Sequence, residues 1–138
     1  MVFLDPGANT SIIHKEVLDK LGITYRKDSF PGLKVANGST LNVDGFVNIQ
    51  LSFGDGAIRV KIPLELKVCK DSCFPADVLL GRLAMYKNNM DLLISEKKVR
   101  IKDTYINYLE DEMNPCLNLD NPERVYKMKG FTDLTVVN

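Results

Sequence analysis

Between Leu41 and Val68 apolar and polar residues alternate almost without interruption. Leu41, Val43, Val47, Ile49, Leu51 and Phe53 hold odd positions, with Gly45 the gap in the series. Ile58, Val60, Ile62, Leu64, Leu66 and Val68 hold even positions beyond Gly54-Asp55-Gly56. A period of two puts successive side chains on opposite faces of a strand, so each run predicts a strand with one buried and one wet face. Asp55-Gly56 suits a tight turn that needs positive φ. Folding there sets Phe53 opposite Ile58, Leu51 opposite Val60 and Ile49 opposite Ile62, all on one face. Pro63 cannot donate a ladder hydrogen bond and marks an edge or a bulge in the second strand.

Shorter elements flank this hairpin. Ile13, Val17 and Leu21 recur at helical spacing and Gly22 stands where a helix ends, which predicts a helix over 15–21. Lys34-Val35-Ala36 leads into Asn37-Gly38, a turn pair that precedes the long strand. Downstream, Asp77–Leu80 reads as a short, nearly apolar strand and Leu83–Lys87 as a brief helix. Asp91–Ile94 and Lys98–Lys102 flank Ser95-Glu96-Lys97 as a second, shorter hairpin. Tyr105, Ile106, Leu109 and Met113 fit one more amphipathic helix. The rest, through Asn114-Pro115 and Asn121-Pro122, reads as irregular. The expected class is all-β, mainly antiparallel, with two or three short helices.

The chain has 138 residues, 45% of them hydrophobic and 26% charged, which fits one soluble globular domain. Its 18 basic and 18 acidic residues cancel, which argues against nucleic acid or an anionic membrane as a partner. The cluster Lys97, Lys98, Arg100 and Lys102 reads as the solvated face of a hairpin. No apolar run reaches the roughly 20 residues of a membrane span, and no secretory signal opens the chain. Cys69, Cys73 and Cys116 lack zinc spacing and read as thiols of a reducing compartment. His14 reads as a surface residue at a helix start. No metal and no cofactor is expected. Asn9-Thr10-Ser11 and Asn37-Gly38-Ser39 match the glycosylation acceptor pattern, which matters only for a secreted chain.

Candidate chemistry rests on two segments. In Phe3-Leu4-Asp5-Pro6-Gly7-Ala8-Asn9-Thr10-Ser11 an apolar run delivers one carboxylate into a Gly-containing turn. In Ala76-Asp77-Val78-Leu79-Leu80-Gly81-Arg82 a second apolar run ends in Gly ahead of a short helix. Asp5-Pro6-Gly7 alone is a good β-turn, with Asp at the first position and Pro pre-setting φ at the next. Peptide hydrolysis by aspartates needs two carboxylates that share one proton and one water: like charges that close do not both ionise, so one acid polarises the substrate carbonyl while the other activates the water. No nucleophilic side chain takes part. Asp44-Gly45 and Asp55-Gly56 lie inside the alternating hairpin and read as wet-face or turn residues. With one suitable aspartate per chain, such activity would demand a homodimer.

Taken together, these parts resemble the retroviral-type (retropepsin-like) aspartic proteases, including retrotransposon-derived and domesticated cellular domains. Leu4-Asp5-Pro6-Gly7-Ala8-Asn9-Thr10 is similar to the family's hydrophobic-Asp-Thr/Ser-Gly-Ala region. Val35-Ala36-Asn37-Gly38-Ser39-Thr40 is similar to the stretch around its flap, and Val78-Leu79-Leu80-Gly81-Arg82 to its hydrophobic-hydrophobic-Gly signature. The resemblance runs over about 2–102. It implies an acid-protease barrel at 1–102, followed by a C-terminal extension or linker at 103–138. It implies catalysis by Asp5 and substrate contacts at Gly7, Ala8, Ala36, Asn37 and Gly38. It implies loop support from Pro6, Leu79, Leu80 and Gly81. Its further implications are a polypeptide substrate, a homodimer and an intracellular, cytoplasmic setting, within a polyprotein or virus-like particle.

Two departures shape the expectation. The family has Thr or Ser where this chain has Pro6; that hydroxyl and the backbone N–H beside it tie the two catalytic loops across the dimer axis, and proline has neither group. The family also has a strand or two before the triplet, whereas four residues precede Asp5 here, so an N-terminal strand is expected to be missing unless the tail past 103 supplies edge pairing. Three readings follow: a homodimeric aspartic endopeptidase, a catalytically inactive binding or scaffold module of the same fold, and an unrelated small β-barrel that binds peptides by edge addition.

Overall fold

In the computed structural model, which describes residues 2–28, 33–34, 40–54, 58–71, 74, 76–107, 126–128 and 135–136, short strands dominate. In chain order they are β1 (Val2–Leu4), β2 (Ile12–His14), helix α1 (Lys15–Leu21), β3 (Arg26–Lys27), β4 (Leu33–Lys34), β5 (Thr40–Leu41), β6 (Val43–Gly54) and β7 (Arg59–Cys69). Then come β8 (Val78–Leu80), helix α2 (Arg82–Lys87), β9 (Met90–Leu93), a single 3-10 turn at Ile94–Glu96, β10 (Lys98–Ile101), β11 (Thr104–Asn107), β12 (Tyr126–Met128) and β13 (Thr135–Val136).

The alternating runs form β6 and β7 as an antiparallel pair, but the register differs from the one the turn residues suggest. Leu51 faces Ile62 and Ile49 faces Leu64, so each partner moves two residues from the expected pairing. A slip of two keeps every side chain on its own face, which is why alternation alone does not exclude it; a slip of one would have turned the core residues to solvent. Asp55-Gly56 lies outside the described residues. Gly54 pairs with Arg59, and a Cβ on Gly54 would stand 1.7 Å from the carbonyl oxygen of Ile58, a contact only glycine permits.

Pro63 faces Gln50 in an unbroken stretch of ladder. β2 pairs with β7 only over Lys67–Cys69, which leaves no strand beside Pro63 on that side among the described residues. The proline marks an edge, and the irregularity in this pair falls at Val43/Gly45 instead. There β3 joins β6, with Lys27 opposite Gly45, and a Cβ on Gly45 would lie 2.1 Å from the carbonyl oxygen of Arg26. The gap in the apolar series is thus the point where another backbone approaches.

The main sheet runs β12-β1-β8-β2-β7-β6-β13, with β3 also on β6. Laid flat, its six inter-strand spacings would measure about 29 Å. The chain from Met128 in β12 to Thr135 in β13 reaches about 25 Å at most. The sheet therefore curls toward a barrel. Val2, Leu4, Ile13, Leu18, Ile49, Leu51, Ile62, Leu66 and Leu80 share its core with Val99, Ile101 and Ile106 of the separate β11-β10-β9 sheet. β1 lies second in this order, with β12 antiparallel on one side and β8 parallel on the other.

α1 ends as the sequence indicates: Gly22 is left-handed at φ 66° and its N–H reaches the Asp19 carbonyl oxygen at 3.2 Å. Its buried residue is Leu18, whereas Leu21 is exposed and Ile13 belongs to β2. The helix expected around Tyr105 and Ile106 is instead strand β11, paired with β10 through Arg100↔Tyr105 and Val99↔Ile106. Ile106 is fully buried, Tyr105 exposed, and the intervals that mimic a helix begin only with Leu109, outside the described residues. No helix among the described residues is long and apolar enough to cross a membrane.

Candidate functional site

Asp5 follows directly on β1. Its N–H donates to the Leu80 carbonyl oxygen at 2.9 Å, which continues the β1–β8 ladder past Leu4. The chain then turns: the Ala8 N–H donates to the Asp5 carbonyl oxygen at 3.1 Å, closing a β-turn with Pro6 and Gly7 at its centre. The Gly7 N–H donates to Asp5 Oδ1 at 3.0 Å, so the half-buried carboxylate is oriented by its own loop. A Cβ on Gly7 would stand 3.2 Å from that same oxygen and crowd it. Pro6 and Ala8 are half-buried, and Gly7 is exposed.

The loop from Asp5 to Ser11 rests on the segment that follows β8. Gly81 is buried against it: a Cβ there would lie 2.6 Å from the Thr10 carbonyl oxygen and 2.8 Å from that of Ala8. The Gly81 N–H donates to Ser11 Oγ at 2.9 Å, and the Arg82 N–H to the Ala8 carbonyl oxygen at 2.6 Å. The Arg82 guanidinium also donates to Asn9 Oδ1. Ser11 in turn receives the Lys67 N–H on its carbonyl oxygen at 3.1 Å, tying the end of the loop to β7. Leu80 is fully buried in the core and Leu79 half-buried. The structure thus brings Asp5, Pro6, Gly7 and Ala8 together with Leu79, Leu80 and Gly81. Ala36, Asn37 and Gly38 lie outside the described residues.

Asn9, Ser11 and Arg82 fall within the two candidate segments, but the sequence assigned them no role of their own there. Their signal was a hydroxyl residue closing a turn, with an amide-bearing residue two positions before it, opposite a Gly-Arg pair whose backbone donors need partners.

Apolar residues back the loop. Ile12, Leu41 and Cys69 form a small buried cluster, with Phe74 packed against it. The Phe74 ring stacks on His14 at 4.1 Å between centroids and tilts toward Phe3 at 6.3 Å. His14, expected at the surface, is therefore half-buried at the start of α1. Cys69 is a buried thiol whose Sγ lies 3.3 Å from the Asp71 carbonyl oxygen. Through Leu41 the β4–β5 hairpin is anchored on the same cluster that touches Ile12.

A second polar group sits at the start of β6. The Tyr25 hydroxyl donates to Asp44 Oδ2, and Lys70 Nζ lies 3.1 Å from Asp44 Oδ1. The hydrogen bond from Tyr25, with help from Lys70, holds the Asp44 carboxyl below its ordinary range. Burial, then the bond to Asp44 and its charge, push the Tyr25 phenol up to about 12. This group ties the segment after α1 to the hairpin and lies away from Asp5 in the topology. Among the described residues no group of three or more His, Cys, Asp or Glu is placed to hold a metal ion.

No protein-family model matches the chain, and no curated protein does. Among solved structures, the crystal structure of the retroviral protease-like domain of Ddi1 from Leishmania major is similar. Its TM-score is 0.62 at 18% identity, covering 82% of this chain and 86% of that one. The likeness is one of fold: a mainly β, retropepsin-like fold with few short helices.

Proposed function

We propose that the chain is an aspartic endopeptidase that works as a homodimer, each copy giving its Asp5 to one shared site. The observation that carries this reading is the seating of the Asp5 loop: a carboxylate oriented by the Gly7 N–H, on a turn locked against Gly81 and Arg82. Such rigidity is what a general acid–base carboxylate needs, because its reach to the reacting atoms must be held before substrate arrives. Across a two-fold axis the paired carboxylates hold one proton between them. The ionised member takes a proton from a water while that water attacks the scissile carbonyl. The protonated member donates to the carbonyl oxygen, and proton transfer to the leaving amine completes the cleavage. Polypeptides are the substrates, including the chain's own precursor. Gly7 and Ala8 offer backbone beside the scissile bond, and Ala36, Asn37 and Gly38 are assigned to substrate contact on the family resemblance alone.

A second reading rests on Pro6. It occupies the turn position at which the family has Thr or Ser, and it supplies neither hydroxyl nor N–H to a partner loop. At about 1–2 kcal/mol for each unmade bond, a symmetric pair of loops forgoes a few kcal/mol of association. On this reading the chain is a binding or scaffold module of the same fold.

Incubating the chain and its Asp5→Asn variant with a mixed peptide library near pH 5 decides between them. Cleavage by the first alone supports the peptidase, and equal cleavage by both rules out the mechanism. Silence from both leaves the binding module.

A further inference from the structure

The strand that carries Asp5 at its end has a partner from far along the chain. β12 lies antiparallel on the side of β1 away from β8, pairing Leu4↔Tyr126, Phe3↔Lys127 and Val2↔Met128. Six residues later β13 lies antiparallel on β6, pairing Thr135↔Gln50 and Val136↔Ile49. The two strands stand at opposite ends of the main sheet's path. One segment of chain therefore reaches both edges, and at β6 it shares the strand with β3.

We propose that the edge of β1 is a strand-acceptor site, filled by residues Tyr126–Met128 of the same chain, and that with Thr135–Val136 these residues form a clasp that holds the barrel closed under Asp5. An uncovered β1 would present a row of unpaired backbone groups next to the carboxylate, and such an edge frays or recruits another strand. The short connection between β12 and β13 makes each strand raise the local concentration of the other at its own edge. Neither strand is long enough to hold well alone, so the two edges close and open together. The consequence for catalysis rests on the endopeptidase reading. The clasp itself does not.

The hydrogen-bond direction makes the test sharp. The Asp5 N–H points to β8, donating to Leu80. Backbone groups alternate sides along a strand, so the Phe3 N–H points the same way and those of Val2 and Leu4 point to β12. Leu4↔Tyr126 is then a hydrogen-bonded pair, and Phe3↔Lys127 is not. Proline at 126 removes a ladder bond, whereas proline at 127 places its missing N–H on the outer side of β12, where no strand pairs among the described residues.

The experiment is amide hydrogen exchange on the full chain and on Tyr126→Pro and Lys127→Pro. We expect the Leu4 amide of Tyr126→Pro to exchange at least tenfold faster, together with the β13-facing amide of the Ile49–Gln50 pair. Lys127→Pro should stay within about threefold of the parent at both. If Tyr126→Pro fails to fold while Lys127→Pro folds, the contrast stands and supports the clasp. Equal exchange of Leu4 in both variants overturns it. Leu4 protection in the parent that is lost on dilution from dimer to folded monomer also overturns it, because the strand then comes from a second copy. Cleavage measured alongside separates the two claims: exchange reports the clasp even in a chain that cuts nothing.

Discussion

The Gly81 amide and the Ser11 hydroxyl meet at 2.9 Å in a buried position, across seventy residues of sequence. Gly81 has no side chain to spare for the contact; its backbone N–H alone supplies the donor, and the missing Cβ supplies the room. Ser11→Ala leaves that buried N–H without its acceptor, at a cost of about 1–3 kcal/mol. For a chain of this size the melting temperature should fall by roughly 4–10 °C. Scanning calorimetry of the variant beside the parent checks it, and an unchanged melting point would show the bond to be dispensable.

Gly81→Ala acts on the same joint by force. Its Cβ would meet the carbonyl oxygens of Thr10 and Ala8 at 2.6 and 2.8 Å, both on backbone that has little freedom to yield. Overpacking of this kind costs about 1–3 kcal/mol, and the displacement passes straight to the Asp5 turn. A movement of about 1 Å in a catalytic group is worth on the order of a hundredfold in rate. The expected result is a larger loss of kcat than of stability, measured on a cleaved library peptide; a variant as fast as the parent would show that the loop tolerates movement.

Pro6→Thr should pull stability and activity in opposite directions. Proline stiffens the Asp5–Ala8 turn, so its removal costs about 0.4–1 kcal/mol through the unfolded chain. The threonine returns a hydroxyl and an N–H for contact with a second loop. We expect a slightly lower melting point at low protein concentration and a higher cleavage rate, with sedimentation showing tighter association. A rate that does not rise would mean that Pro6 is not what limits the chain.

Tyr25 and Asp44 give a pH dependence whose sign can be stated. The Tyr25 phenol is raised to about 12 in the folded chain, from an ordinary value of 10.0. Below about pH 10 it is neutral whether folded or not, and its contribution to stability is complete. As pH rises from 10 toward 12 the unfolded chain ionises first, so that contribution is lost. Asp44 works in the opposite direction: its lowered carboxyl stabilises the fold above its ordinary value of 3.8, and the effect disappears in stronger acid. Denaturant titrations should show the alkaline loss flattened in Tyr25→Phe, with the acid limb moved to higher pH. A variant with the parent's alkaline limb would assign that loss to another group.

What could be read from the residues divides along a physical line. Strand faces were legible in Leu41–Val68 because alternation encodes burial directly, and the end of α1 was legible because Gly22 takes a left-handed conformation. Register was not, since Leu51 keeps its face whether it meets Val60 or Ile62. The segment around Ile106 was misread because a buried residue in a four-residue strand offers too few positions to separate period 2 from period 3.6. At the site, Asp5, Gly7 and Gly81 announced themselves by type. Ser11 and Asn9 did not, because their roles depend on Gly81 and Arg82, which only the fold brings near. The strands at Tyr126–Met128 and Thr135–Val136 lie in a stretch that looked irregular, and such short pairings leave no period to find.

The joint between Ser11 and Gly81 also sets an order of events in time. Closing a loop of seventy residues is a slow, entropically costly step compared with forming α1 or the β6–β7 hairpin, whose contacts are local. During synthesis Asp5 leaves the ribosome ahead of β6 and β7, while the glycine and arginine that seat its turn follow only after the whole hairpin has been made. A nascent chain therefore carries this carboxylate unplaced until Gly81 and Arg82 have emerged, a delay that topology imposes without any inhibitor.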